Sequence, residues 1–277
     1  MFKKIAIVGL GLMGGSLAAA CRKKFPGATI TGVTRNRRAL NEAFRKRWID
    51  QATQYLEIGV KDADLIVLCT PVDVFPGYLK VIDRVCKHGA LVTDVGSAKG
   101  LIQKAVNRRR WRNLSFVSCH PMVGSHKRGI EAVNPALYDG GLMILIRDKK
   151  TSPSSLEKVK RFWSAFSKRI VELTPEAHDA WVGEVSHLPH VLAVCLTQTV
   201  SRAALKLASS GFRDTTRIAA SDPSIWQPIF KANKKYVLNG IAAFEKELKT
   251  FKRILRASDP ESLKRYLDRA QQKRNAL

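Results

Sequence analysis

The stretch Lys4-Ile5-Ala6-Ile7-Val8-Gly9-Leu10-Gly11-Leu12-Met13-Gly14 decides the fold. Its first half is a short run of apolar, partly β-branched residues of the kind that builds a strand buried on both faces. Its second half turns into small residues that open a helix. A GxGxxG pattern is weak by itself, but between a buried strand and a helix each glycine has a task. Gly9 makes the tight turn, Gly11 lets backbone approach a pyrophosphate, and Gly14 lets the helix sit close on the sheet. Leu12 and Met13 then form the first helical turn, whose free amides face the phosphates. These five residues are the first candidate dinucleotide contacts.

Outward from this motif, similar apolar runs recur at 28–33, 65–69, 90–94, 115–119, 142–146 and 170–173, with amphipathic helical patterns at 39–47, 77–86 and 155–166. Strand alternating with helix implies an α/β fold, a Rossmann-type, mostly parallel sheet covered on both faces. After Pro175 the strand-like runs stop and helical patterns continue to Leu277. Two domains are expected, 1–174 for dinucleotide binding and 175–277 all-helical, joined without a Pro/Gly/Ser linker and so packed tightly together.

The end of the 28–33 run sorts the cofactor. It reads Gly32-Val33-Thr34-Arg35-Asn36-Arg37-Arg38, with no carboxylate to accept bonds from ribose hydroxyls. A 2′-phosphate would find a hydroxyl at Thr34 and a guanidinium at Arg35, with Arg38 or Arg37 in reserve, so NADP is expected and NAD is the alternative.

Composition limits the rest. The 277 residues carry 48 Lys plus Arg against 23 Asp plus Glu, a net charge of +25, yet 45% are apolar, which excludes a disordered basic tail. No apolar run approaches the roughly 20 residues that cross a bilayer, and the first apolar stretch lacks the layout of a cleavable signal, so a soluble cytoplasmic protein is expected. Five scattered cysteines, never in a CxxC pair, read as reduced thiols and not as a zinc site. The basic residues come in short groups along the whole chain and not as one tail or stripe, so nucleic acid is not the expected partner. A non-enzymatic dinucleotide-binding protein that uses this basic face on nucleic acid is the contrasting reading.

Ligands of such sheets sit beyond the carboxyl ends of the strands. There the chain reads Cys69-Thr70-Pro71, then Thr93-Asp94-Val95-Gly96-Ser97-Ala98-Lys99, then Ser118-Cys119-His120-Pro121-Met122-Val123-Gly124-Ser125-His126. The helical part adds Ser186-His187-Leu188-Pro189-His190 and Ser210-Gly211-Phe212-Arg213-Asp214-Thr215-Thr216-Arg217. Together these motifs resemble the prephenate and arogenate dehydrogenases of tyrosine biosynthesis, from the glycine motif through Trp226.

The resemblance implies an oxidative decarboxylation of prephenate to 4-hydroxyphenylpyruvate with hydride transfer to a nicotinamide, in a homodimer formed through the helical domain. His120 matches the family's catalytic histidine. Ser97 matches the serine that bonds both this histidine and the nicotinamide region, although its position also suits a cap for a helix over 98–106. Arg217 matches the arginine that grips a substrate carboxylate, where a planar fork gives bidentate recognition; the other reading is an ion pair with Asp214 or Asp222. Ser125, Ser186, His190, Arg213 and Trp226 match supporting positions, and Cys69, Thr70 and Pro71 join the cofactor side.

His126 stands where relatives often carry an acidic or small residue. Beside Lys127 and Arg128 it would repel an ammonium, which favours prephenate over arogenate, the alternative substrate. His187 reads equally as a buried structural residue. His88 and His178 match no motif and are expected at the surface. No third ligand accompanies His187 and His190, so no metal is expected. A β-hydroxyacid dehydrogenase would share the opening glycines but needs a lysine motif that is not found.

Overall fold

The computed structural model describes residues 2–125 and 127–277, and His126 lies outside the described residues. Six parallel strands, β1 (Lys4–Val8), β2 (Thr29–Val33), β3 (Gln51–Thr53), β4 (Leu65–Leu68), β5 (Ala90–Asp94) and β6 (Leu114–Phe116), pair in the order β3-β2-β1-β4-β5-β6. Between and after them run α1 (Leu12–Lys24), α2 (Arg37–Arg45), α3 (Leu56–Val60), α4 (Phe75–Val85), α5 (Gly100–Asn107) and α6 (Pro153–Ser164). Alternate residues of β1 serve opposite faces. Ile5 and Ile7 share one core cluster with Leu17 of α1 and the Phe162-Trp163 pair of α6, while Ala6 and Val8 belong to another with Phe75 and Leu79 of α4 and Ile102 of α5. That two-sided burial is why the strand reads as an unbroken apolar run.

Two segments depart from the sequence expectation. The run at 115–119 is not one strand: β6 ends at Phe116, and Cys119–Met122 forms β7 of a second, three-stranded sheet. The cause is Asp94 at the end of β5, whose carboxylate accepts from the Ser118 hydroxyl and the Cys119 amide and draws the chain off the line of the first sheet. In the second sheet β7 lies antiparallel to β8 (Leu142–Ile146), which is parallel to β9 (Ile170–Leu173). β7 is an edge strand, so Pro121, with no N–H to give, is tolerated there. His120 therefore sits within a strand, opposite Ile144, and not in a loop after one. The second departure is β3, which the sequence reading missed because Gln51-Ala52-Thr53 is a short, largely exposed edge with no apolar run.

The helical part holds α7 (Pro175–Val182), a π-helical turn at Gly183–His187, α8 (Leu188–Thr199), α9 (Ser210–Thr216), α10 (Pro223–Ala232), α11 (Lys234–Ala257) and α12 (Pro260–Asn275). Thr174 begins it by capping α7, its hydroxyl accepting from the Ala177 amide at 3.2 Å, with Pro175 at the first helical position. α7 then lies against α5 and the second sheet, which brings helical side chains beneath His120. Among the described residues no helix is long and apolar enough to cross a membrane.

Candidate active site

The glycine motif is shaped as its spacing predicts. Gly9 has φ +96°, and a side chain there would come within 2.8 Å of the Cys69 carbonyl oxygen. Gly14 approaches so closely that a Cβ would lie 1.8 Å from the Gly9 carbonyl oxygen, so only glycine seats α1 on the turn. Gly11, by contrast, has no heavy atom within 4 Å of where its Cβ would be. It caps α1 without any side-chain bond, which leaves the first-turn amides of Leu12 and Met13 open toward the crevice between β1 and β4, where the strand order reverses. Across the turn, the buried Thr70 hydroxyl has no hydrogen-bond partner among the described residues, and Pro71 leads away from it. Bare amides, an open glycine flank and an idle hydroxyl fit a nicotinamide dinucleotide.

At the end of β2 the basic residues have separate fates. Arg37 donates from Nε to Gln54 at 3.0 Å, and Arg38 pairs with Glu131 at 2.7 Å. Thr34 accepts from the Asn36 amide at 3.4 Å, and the Arg35 side chain has no partner among the described residues.

A cavity of about 620 Å³ joins the two domains. From the first domain it is lined by Gly11, Leu12, Met13, Cys69, Ser97, His120 and Ser125, and from the second by Ser186, His187, Arg217 and Trp226. His190 does not line it; the ring is buried and stacks on Trp226, centroids 3.6 Å apart and planes 15° apart. Arg213 lies outside the lining, its Nε donating to the Ala208 carbonyl at 3.2 Å. Arg217 makes no ion pair with Asp214 or Asp222 among the described residues, since the Asp222 carboxylate is taken by Arg128.

Beneath the cavity runs a chain of buried groups. Nδ1 of His120 is 2.8 Å from Nε2 of His178, and Nδ1 of His178 is 2.8 Å from Oδ1 of Asp179. An ionised carboxylate only accepts, so His178 carries its proton on Nδ1 and its Nε2 accepts. His120 must then hold its proton on Nδ1, which leaves its Nε2 as a bare acceptor. The surface position expected for His178 is thus corrected: it is 0% exposed, enclosed where α7 crosses α5. The hydrogen bond that orients His120 is the one its Nδ1–H donates to His178, while Ser97 makes no side-chain hydrogen bond among the described residues. Nor does Ser97 cap the following helix. α5 starts at Gly100, and the amides of Lys99 and Gly100 donate to the two carboxylate oxygens of Asp179, each at 2.8 Å.

A second buried network holds the start of β7. Lys99 and Asp94 are both 0% exposed; Lys99 Nζ lies 2.6 Å from Asp94 and 2.7 Å from the Cys119 carbonyl oxygen, one residue before His120. Burial pushes the His120 pKa well below the ordinary imidazole value, and the nearby His178, Lys99 and His187 push it the same way. His120 is therefore neutral at pH 7, the form that accepts a proton.

Comparison with known proteins gives the family. A family model described as "Prephenate dehydrogenase, nucleotide-binding domain" matches residues 17–172, and one described as "Prephenate dehydrogenase, dimerization domain" matches residues 174–269. The chain belongs to the prephenate dehydrogenase family. The prephenate dehydrogenase of Bacillus subtilis is 32% identical over 99% of this chain and 76% of its own length. The crystal structure of Aquifex aeolicus prephenate dehydrogenase with hydroxyphenyl propionate and NAD+ superposes with a TM-score of 0.90 at 33% identity, covering 100% of this chain and 98% of that one. Synechocystis arogenate dehydrogenase gives 0.85 at 28% identity, covering 99% of each chain.

For this family member, burying histidine has a stability consequence. His120, His178, His187 and His190 all have lowered pKa values, with burial the leading cause in each. The unfolded chain, with histidines near the usual 6.5, takes up protons first as pH falls, so stability that is full at neutral pH declines below about 6.5. Thermal unfolding should therefore occur at a lower temperature at pH 5 than at pH 7.5. Equal midpoints would show that these rings protonate as freely folded as unfolded.

Proposed function

We propose that the protein oxidatively decarboxylates prephenate to 4-hydroxyphenylpyruvate with NADP as hydride acceptor, as a cytoplasmic homodimer. The observation that carries the reaction is the bare Nε2 of His120, held in that tautomer by His178 and Asp179 at a cavity shared with the glycine motif. The glycine turn and the first-turn amides of Leu12 and Met13 would hold the dinucleotide, which when bound would supply the acceptor for hydride from the ring carbon that bears the hydroxyl. His120 takes the hydroxyl proton as that oxygen becomes a carbonyl, and its Nδ1–H stays shared with His178. Loss of carbon dioxide then sends its bonding electron pair into the ring, and the proton on His120 returns to the phenolate oxygen of the product. Arg217, exposed to the cavity and without a carboxylate partner among the described residues, suits a side-chain carboxylate of the substrate.

Charge supports prephenate over arogenate. Among the described lining residues the basic ones are Lys127, Arg128 and Arg217, and the one carboxylate, Asp222, is already paired and caps α10. NADP is supported by Thr34 and the unengaged Arg35, with Arg38 available by leaving Glu131. NAD has its own support, since the A. aeolicus relative was solved with NAD+. The domain division at 174–175 accords with Thr174 capping the first helix, and dimerisation accords with the exposed Trp181, Val185, Leu238, Leu248 and Leu267. Free cysteines suit a reducing compartment.

The assay is reduced-nicotinamide formation with each substrate and each dinucleotide. Faster turnover of prephenate with NADP is expected, and Arg35→Glu should raise the NADP KM about ten- to a hundred-fold with little effect on NAD. Turnover of neither substrate would end the proposal, preference for arogenate would reassign the substrate, and indifference of NADP to Arg35→Glu would return that residue to the general basic surface.

A further inference from the structure

The geometry points to His187 as a second active-site histidine, one that donates a hydrogen bond from Nε2 to an oxygen of the anionic substrate while His120 accepts a proton. The inference rests on the cavity being the substrate site. It begins with Asn233, a buried residue at the start of α11. Its Nδ2 lies 2.8 Å from the Asp179 carbonyl oxygen and 2.9 Å from Nδ1 of His187. A carbonyl oxygen only accepts, so the amide nitrogen, not the amide oxygen, must face both groups. An amide nitrogen only donates. His187 Nδ1 is therefore the acceptor, and the ring's one hydrogen sits on Nε2.

That Nε2–H has no hydrogen-bond partner among the described residues, although His187 is 1% exposed. Buried donors are almost always satisfied, and here the space beside the ring is the cavity that also holds His120 and Arg217. The surroundings fix the ring from its other sides. Trp226 meets it edge-on with centroids 5.9 Å apart, and Gly183, opening the π-helical turn that ends in His187, lets α11 approach so that a Cβ would lie 3.1 Å from Tyr236. π-helical turns recur at functional sites because they move side chains out of ordinary helical register. Burial holds the His187 pKa at about 4, with Asp179 opposing and His178 and His190 reinforcing the shift, so the donor stays neutral at working pH. The site thus presents two neutral imidazoles of opposite sense, an acceptor locked through the Asp179 carboxylate and a donor locked through Asn233, whose other bond goes to the carbonyl of the same aspartate.

His187→Leu should raise the prephenate KM about ten- to a hundred-fold while leaving the dinucleotide KM within about two-fold. His187→Gln, whose amide can still donate, should recover most of that loss. Asn233→Asp presents only acceptors to Nδ1, forces the hydrogen onto that nitrogen, and should reproduce the loss. A folded His187→Leu with unchanged prephenate kinetics overturns the inference. Should the variants not fold, ring-nitrogen NMR of the wild-type protein decides: hydrogen on Nε2 and a shift of that signal on adding 4-hydroxyphenylpyruvate support it, whereas hydrogen on Nδ1 or no shift overturns it. A wild-type enzyme inactive on prephenate and arogenate alike would count against the activity, and the nitrogen spectrum would still report the tautomer.

Discussion

His120→Asn should lower kcat about a thousand-fold and leave dinucleotide affinity nearly intact. The magnitude is that of a lost general base, which contributes about 10²- to 10⁴-fold. Asparagine is the informative replacement because its amide nitrogen can stand where Nδ1–H stood and still donate to Nε2 of His178. The buried partner then keeps its bond, Lys99 and Asp94 keep theirs, and the fold has no new unsatisfied group near β7. What disappears is the basic Nε2. Stopped-flow measurement of reduced nicotinamide together with dinucleotide titration by fluorescence separates the two effects. A variant that keeps a tenth of the wild-type rate would mean that another group takes the proton.

Asp179→Ala should cost about 3–5 kcal/mol of stability, read as a lower urea midpoint, and should also depress turnover in the molecules that stay folded. Truncation strips acceptors from the buried Lys99 amide, the half-buried Gly100 amide and the His178 ring in one step, and each orphaned buried donor costs about 1–3 kcal/mol. It also frees His178 to place its hydrogen on either nitrogen, which removes the reason for His120 to keep Nε2 bare. Asp94→Asn provides the contrast, because Asp94 holds the backbone ahead of His120 and not the ring itself. A midpoint unmoved by Asp179→Ala would show that water replaces the carboxylate at the end of α5.

The cofactor half of the site was legible in the sequence because its signals are local. Gly9, Gly11 and Gly14 lie within one turn of chain, and apolar runs mark the strands that carry them. His120 stands out in the sequence through its place in a motif that resembles the family's, with Pro121 and Gly124 beside it. His178 does not, because its meaning depends on a partner 58 positions away that only the crossing of α7 over α5 brings near. A histidine followed by an aspartate in the opening turns of a helix was the available signal, and it is faint without knowing what that helix faces. Lys99 and Asp94 lie within one motif, yet nothing in their spacing tells that both charges are sealed from water. The broken run at 115–119 has the same origin: an apolar texture reads as one strand, and the carboxylate that diverts it comes from β5.

Asp179 belongs to the helical domain, and the amides it holds belong to the first turn of α5 in the other. A hinge movement that parted α5 from α7 would pull the carboxylate from those amides and carry His178 away from His120. His120 would lose its assigned tautomer at the moment the cavity opened. Domain docking and the tautomer of His120 would thus be lost together, because both rest on the one Asp179 carboxylate.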